Sequence, residues 1–135
     1  MKKGKEIAEA LEEAGILKEL NSDITSSWKT VLRWKNITQA ELSRRTGITE
    51  CSISLIIAGQ RMGTVDNIVL MCLAMNVPLE ISLHLLRISG HVLVLNNERN
   101  VIYNYLLKYR YKEPLSEIKK FLEDSGSDFY MKIPL

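Results

Sequence analysis

Apolar residues recur at helical spacing through the first half of the chain. Over residues 4–20 they fall three or four positions apart with Glu and Lys between them, which predicts an amphipathic helix. The same spacing predicts helices over residues 26–35 and 50–58. A further helix is predicted to begin after Thr64 and to end before Pro78, because the residue before a proline disfavours helix. These segments indicate a mainly α-helical protein.

Residues 38–61 carry the strongest helix-boundary signals in the chain. Thr38 stands three residues before Glu41, the spacing at which two side chains cap a helix start reciprocally. The helix predicted over residues 39–46 then ends at Gly47, since glycine suits the left-handed conformation that closes a helix.

A second short helix, residues 50–58, follows directly. Thr49 is placed to cap it, Gly59 to end it, and Ile53 and Ile56 to form its buried stripe. Two helices this short cannot bury their apolar faces alone, so a third element must cover them. A capped helix, a glycine turn and a second capped helix form the unit that places one helix in the major groove of DNA.

The last third of the chain is harder to interpret. Residues 79–88 fit either a helix or, because apolar and polar positions alternate, a strand. Residues 91–96 and 101–107 flank a polar segment of four residues, which predicts a β-hairpin. Two more elements are predicted, a short helix over residues 117–124 capped by Ser116 and a last strand over residues 129–133.

Length and charge refine this picture. At 135 residues, with 46% hydrophobic and 25% charged residues, the chain is one globular domain with room for an appendage. The net charge is only +2, but residues 25–89 carry seven Lys and Arg against four Asp and Glu, whereas residues 1–24 carry four against six. Positive charge is therefore concentrated, modestly, around the two short helices, which suits a site-specific nucleic-acid binder more than a coating protein.

Other classes of protein find little support in the residues. The longest charge-free run, residues 67–79, is too short to span a bilayer. Acidic residues interrupt the apolar part of the N-terminus, so no signal peptide is predicted and we expect a cytoplasmic protein. Two cysteines give no disulfide framework, and His84 and His91 have no third ligand nearby. We expect no metal, no cofactor and no enzymatic activity.

Residues 27–88 resemble the Cro/C1 (phage-repressor, XRE-type) helix-turn-helix family. The resemblance rests on the segments QAELSRRTGIT at 39–49, SIS at 52–54, AGQR at 58–61 and the helix ending that contains Leu73, Ala74 and Val77. It implies a lambda-repressor-like DNA-binding domain of five helices, and a helix rather than a strand over residues 79–88.

The resulting architecture is mainly α with three parts. Residues 1–24 hold the extra N-terminal helix, and residues 25–89 form the DNA-binding domain. Residues 90–135 are predicted to be a small α+β extension that contains the hairpin and the short helix.

The resemblance also implies which residues touch DNA. The base-reading positions are Glu50, Cys51, Ser52 and Leu55, and the positions that contact the sugar-phosphate backbone are Gln39, Arg44, Arg45, Thr49, Ser54, Gln60 and Arg61. Glu50 can accept from cytosine N4, whereas Leu55 offers only apolar contact with a thymine methyl. We therefore expect few direct contacts between this helix and the bases. Either DNA shape and two half-sites supply specificity, or this helix has lost part of its reading role.

Two kinds of partner follow from the resemblance. The first is double-stranded DNA read by a homodimeric repressor, because one module makes too few contacts. We expect the C-terminal extension to form the dimer surface, and the helix over residues 4–20 is the other candidate. The second is a toxin protein, because residues 77–83 (VPLEISL) are similar to a strand found in HigA-like antitoxins. A more remote possibility is a module whose second helix binds protein only.

Overall fold

The computed structural model describes residues 2–134, with side chains from residue 4 onward, and this part of the chain is built from α-helices. The helices within residues 2–134 are, in chain order, α1 (Lys2–Glu19), α2 (Ile24–Lys35), α3 (Gln39–Thr46), α4 (Glu50–Ile57), α5 (Val65–Ala74), α6 (Leu79–Ile88), α7 (Glu98–Tyr109) and α8 (Leu115–Asp124). α3 packs on α4 and α5, α1 lies against α2 and α6, and α7 lies against α5 and α6.

Polar side chains fix where several helices begin. Asp23 Oδ2 accepts from the Ser26 amide at 2.7 Å, so α2 begins at Ile24, two residues before its predicted start. Thr64 Oγ1 accepts from the Asn67 amide at 3.1 Å and caps α5, as its sequence predicts. α8 is different, because it begins after Pro114 without a side-chain cap, and the predicted cap at Ser116 is wrong.

Residues 79–88 form α6, so the structure decides between the two interpretations of this segment in favour of the helix. Ile81, Leu85 and Leu86 are buried in the core, and they follow the helical period rather than the alternation of a strand.

The predicted β-hairpin is wrong, and the C-terminal extension is not α+β within residues 2–134. Asn97 Oδ1 accepts from the Asn100 amide at 2.9 Å and starts α7, where the hairpin required a turn. Tyr103, Leu106 and Leu107 are then buried at helical spacing. Apolar residues in this segment fall at alternate positions, as in a strand, and also three or four positions apart, as in a helix. Burial against α5 and α6 selects the helix.

The predicted strand over residues 129–133 is also wrong, since no strand lies there and the segment has no partner strand within residues 2–134. Its alternation has another cause, because Met131 and Ile133 point into the protein while Lys132 and Pro134 remain exposed. We call residues 127–134 the C-terminal strap.

One hydrophobic core connects the first helices to the last ones. Trp28, Leu42 and Ile53 from the N-terminal half are buried in the same cluster as Leu106 of α7 and Ile118 of α8. The C-terminal helices therefore complete the core around α5.

None of the helices within residues 2–134 is long and apolar enough to cross a bilayer.

The strap ends against the turn between α3 and α4. Gly47 has φ +76°, and a Cβ at this position would lie 3.2 Å from Pro134 Cγ. Two separate constraints, the backbone conformation and the closeness of the strap, therefore favour glycine here.

We predict that Gly47→Ala destabilises the protein more than Gly126→Ala does. Gly126 has a similar φ of +69°, but nothing lies within 4 Å of the Cβ position. The backbone conformation alone costs about 1–2 kcal/mol in either variant, and Gly47→Ala adds the displacement of Pro134. Urea unfolding of the two variants measures the difference, and equal losses would show that the strap gives way freely.

Candidate nucleic-acid interface

α3 and α4 are joined by a turn that side-chain hydrogen bonds hold in place. Ser43 Oγ donates to the Ile48 carbonyl at 2.6 Å, and Thr46 Oγ1 accepts from the Ile48 amide at 3.2 Å. The Gly47 amide donates to the Ser43 carbonyl at 2.8 Å, which closes α3. This turn sets the angle at which α4 leaves α3.

The start of α3 is capped on one side only. Thr38 Oγ1 accepts from the Glu41 amide at 3.1 Å, as predicted. The predicted return bond from Glu41 is replaced, because its carboxylate pairs with Arg44 and, at 3.0 Å, with Arg45 Nε. Two arginines one turn further along α3 attract the carboxylate away from the helix start.

α4 has one buried side and one open side. Ile53, Ile56 and Ile57 are buried, and the Ile57 carbonyl accepts from Thr25 Oγ1 of α2 at 2.8 Å. The open side carries the predicted base-reading residues, with Glu50 and Cys51 exposed and Ser52 and Leu55 half-buried. The structure therefore brings these four predicted residues together on one surface.

The predicted backbone-contacting residues differ in their exposure and in their contacts within the protein. Arg44, Thr49, Ser54, Gln60 and Arg61 are exposed, and Gln39 is half-buried at the first position of α3. Arg61 Nη1 donates to Ser52 Oγ at 2.8 Å, which joins the loop after α4 to the first turn of that helix.

Arg45 is engaged by the protein itself. Its Nη1 donates to the Ala74 carbonyl at the end of α5 at 2.9 Å, and its Nε donates to Glu41. Arg44, with 74% of its side chain exposed, is held by Glu41 alone among the described residues. The two neighbouring arginines thus have different surroundings, which the sequence did not distinguish.

The loop between α4 and α5 is supported by residues for which the sequence indicated no such role. His91, just after α6, places its ring Nε2 2.6 Å from the Gly63 carbonyl. A Cβ on Gly90 would lie 3.1 Å from Met62 Cε, so the chain after α6 passes directly over this loop. The only local signal was the apolar Met62 in a loop, since His91 lies almost thirty residues further along the chain.

Other charges and donors near the motif have structural partners. Lys35 lies over the Trp34 ring with Nζ 4.2 Å from the centroid, and burial lowers the pKa of its ammonium group. Trp34 Nε1 donates to Glu12 of α1 at 3.0 Å. Among the described residues, no three His, Cys, Asp or Glu side chains are grouped as a metal site requires.

Residues 29–81 match the model of the helix-turn-helix family. The match runs from α2 into α6 and covers less than half of the chain. A search of curated proteins and a search of solved structures each found no match. The resemblance to Cro/C1-type proteins is thereby confirmed for this segment, which is a helix-turn-helix module of the kind found in DNA-binding transcriptional regulators.

We predict that Arg45→Met lowers stability by about 1–2 kcal/mol, because the Ala74 carbonyl loses its charged, half-exposed donor. Arg44→Met is the matched control, and we expect less than about 0.5 kcal/mol because exposed ion pairs contribute little. Urea unfolding measures both. If Arg45→Met kept full stability and instead weakened the salt dependence of DNA binding, Arg45 would be a phosphate contact.

Proposed function

We propose that this protein is a sequence-specific, double-stranded DNA-binding transcriptional regulator, a homodimeric repressor that inserts α4 into the major groove. The observation that carries the proposal is the two-sided character of α4. Its three isoleucines are sealed in the core, whereas the side with Glu50 and Cys51 faces outward. An eight-residue helix that presents polar side chains from its first turn fits the groove of a duplex.

The residues around α4 supply the contacts that hold it there. Gln39 at the start of α3 and Gln60 after α4 carry amide donors, and Gln60 is exposed. Arg44 and Arg61 add positive charge, and Ser54 and Thr49 add hydroxyl groups. Such contacts fix the position of a protein on the duplex without reading its sequence.

Double-stranded DNA is the ligand to test first. Selection from random duplexes is expected to return a two-part site with half-sites about ten base pairs apart. A salt titration on the selected site is expected to give a slope of log K against log salt of about −5 to −7, for about six to eight phosphate contacts by a dimer. Failure to retain any duplex at low ionic strength would refute the proposal.

The two cysteines provide an internal control for the role of α4. Cys51 is exposed on α4, whereas Cys72 is buried and burial raises the pKa of its thiol to about 12. A bulky maleimide is therefore expected to label Cys51 alone and to abolish duplex binding by filling the groove-facing side. The Cys51→Ser protein should bind equally before and after treatment, which separates labelling from damage.

An exposed apolar stripe along α7 is our candidate for the dimer surface. Val101, Tyr105 and Tyr109 are four residues apart and all exposed, with Tyr109 at 63%. The Tyr105 ring centroid lies 5.2 Å from that of Tyr109 and 5.7 Å from that of Phe121 on α8. This row of packed aromatic rings is already ordered in one copy, which lowers the entropic cost of burying it against another.

The charges at the two ends of the stripe indicate that the partner is a second copy of this chain. Glu98 lies in the first turn of α7 and Lys108 in the last turn. Two α7 helices packed antiparallel about a two-fold axis place the acidic end of each opposite the basic end of the other. A surface complementary to itself in this way is what a two-fold dimer requires.

We predict that Tyr105→Glu raises the dissociation constant of the dimer by about tenfold or more, because a carboxylate would be buried in an apolar contact. Leu11→Glu is the control, since Leu11 is an exposed apolar residue on α1, the other candidate surface. Sedimentation velocity measures both variants. Dissociation by Leu11→Glu with no effect of Tyr105→Glu would move the dimer surface to α1.

The alternative is a HigA-like antitoxin that binds a toxin protein. The similarity of residues 77–83 to a strand of such antitoxins supports it less, because most of this segment lies in α6. A small basic nuclease that co-purifies with the protein would nevertheless favour that function over a free homodimer.

A further inference from the structure

The chain after α4 folds back along that helix and carries Arg61 to its first turn. The amides of Gln60 and Arg61 both donate to the Leu55 carbonyl, at 2.9 Å and 3.2 Å. Gly59 makes this reversal possible with φ +73°. The Arg61 side chain then reaches Ser52, nine residues earlier in the chain.

The Ser52 hydroxyl is occupied by contacts within the protein. Its oxygen accepts from Arg61 Nη1 at 2.8 Å and from Thr49 Oγ1 at 2.9 Å, and Thr49 Oγ1 in turn accepts from the Ser52 amide at 3.1 Å. A serine hydroxyl has two acceptor lone pairs, and both are used by these contacts. The Ser52 oxygen is therefore engaged in holding Arg61, and it cannot accept a hydrogen bond from a base.

The Arg61 guanidinium, in contrast, keeps most of its donors. It is exposed, and among the described residues its side chain has a hydrogen bond to Ser52 and no ion pair with a carboxylate. A guanidinium has five N–H donors in a planar fork, so four of them remain available. Because one nitrogen is fixed, the fork is already oriented, and less entropy is lost when it binds.

α4 itself lacks the donors that usually read bases. Its sequence, ECSISLII, contains no Arg, Lys, Asn or Gln. The commonest specific contact in the major groove is a bidentate one from Arg or Lys to guanine O6 and N7. The first turn of α4 is where such a contact would start, and the only guanidinium that the described structure fixes there belongs to Arg61.

We infer that Arg61 is a base-reading residue that contacts a guanine in each half-site, and that Ser52 is the positioning residue that aims it. The inference rests on the proposed function, and it changes the role of Arg61 from a backbone contact to a determinant of specificity. It also explains how bases can be read although α4 offers few base contacts, because the loop after α4 supplies the donor that the helix lacks.

Arg61→Lys and Arg61→Ala separate base reading from phosphate binding. A lysine keeps the positive charge but loses the planar fork. If Arg61 reads a base, both variants are expected to lose about 10- to 100-fold of the discrimination at one base pair in each half-site. If Arg61 only binds phosphate, Arg61→Lys keeps the full preference, and Arg61→Ala weakens binding to all sequences equally while the salt slope falls by about one per protomer. That second result would overturn the inference.

Ser52→Ala tests the positioning role. It is expected to reduce discrimination at the same base pair as the Arg61 variants, by a smaller factor, and to add nothing when Arg61 is already Ala. A further loss in the Ser52→Ala, Arg61→Ala double variant would mean that Ser52 reads DNA independently, and this would contradict its assignment. Arg87→Ala removes an exposed arginine of α6 outside the proposed interface and controls for the loss of one charge.

The binding assay uses full-length protein and a library of duplexes that vary one base pair at a time around the selected site. Circular dichroism of each variant checks that it is folded. If the unmodified protein retains no duplex, the proposed function fails. If it selects a site and the preference is unchanged in Arg61→Ala and Arg61→Lys, only the present inference fails.

Discussion

The structure depends on the burial of one side of α4 against α2 and α3. Ile53 and Ile56 are almost completely inaccessible, although α4 has only eight residues and would not be stable alone. Burial of two such side chains contributes about 3–6 kcal/mol, which is the same order as the net stability of a small domain. Because these residues are fixed inside, the direction of the opposite side of α4 is fixed as well.

The C-terminal part of the chain supports this arrangement from behind. The Tyr103 hydroxyl of α7 lies 2.5 Å from Asp66 Oδ1 in α5 and 2.8 Å from the Tyr130 carbonyl of the strap. Burial and the nearby carboxylate raise the pKa of Tyr103, so it remains a neutral donor. The strap that it holds ends at Pro134, beside the turn between α3 and α4.

The N-terminal helix is attached to the same C-terminal part mainly by polar contacts. Glu13 of α1 accepts from the Tyr111 hydroxyl at 2.9 Å, and Glu9 pairs with Lys112 at 2.6 Å. Lys112 lowers the pKa of the Glu9 carboxyl, while burial, followed by the effect of Glu13, raises the pKa of Tyr111 to about 12. The Glu9–Lys112 pair is exposed, so it contributes little to stability.

The sequence by itself determined the module from α2 to α5, because its signals are local. Thr38, Gly47 and Thr49 act within four residues of their partners, and the spacing of Ile53 and Ile56 requires no knowledge of what covers them.

The tertiary structure alone decided α7, the strap and the individual roles of the arginines. The apolar residues around Tyr103 fit both the alternation of a strand and the spacing of a helix, and burial against α5 and α6 selected the helix. Arg44, Arg45 and Arg61 are alike in the sequence and were separated only by the Ala74 carbonyl and the Ser52 hydroxyl, because partners brought together by folding leave no trace in local spacing.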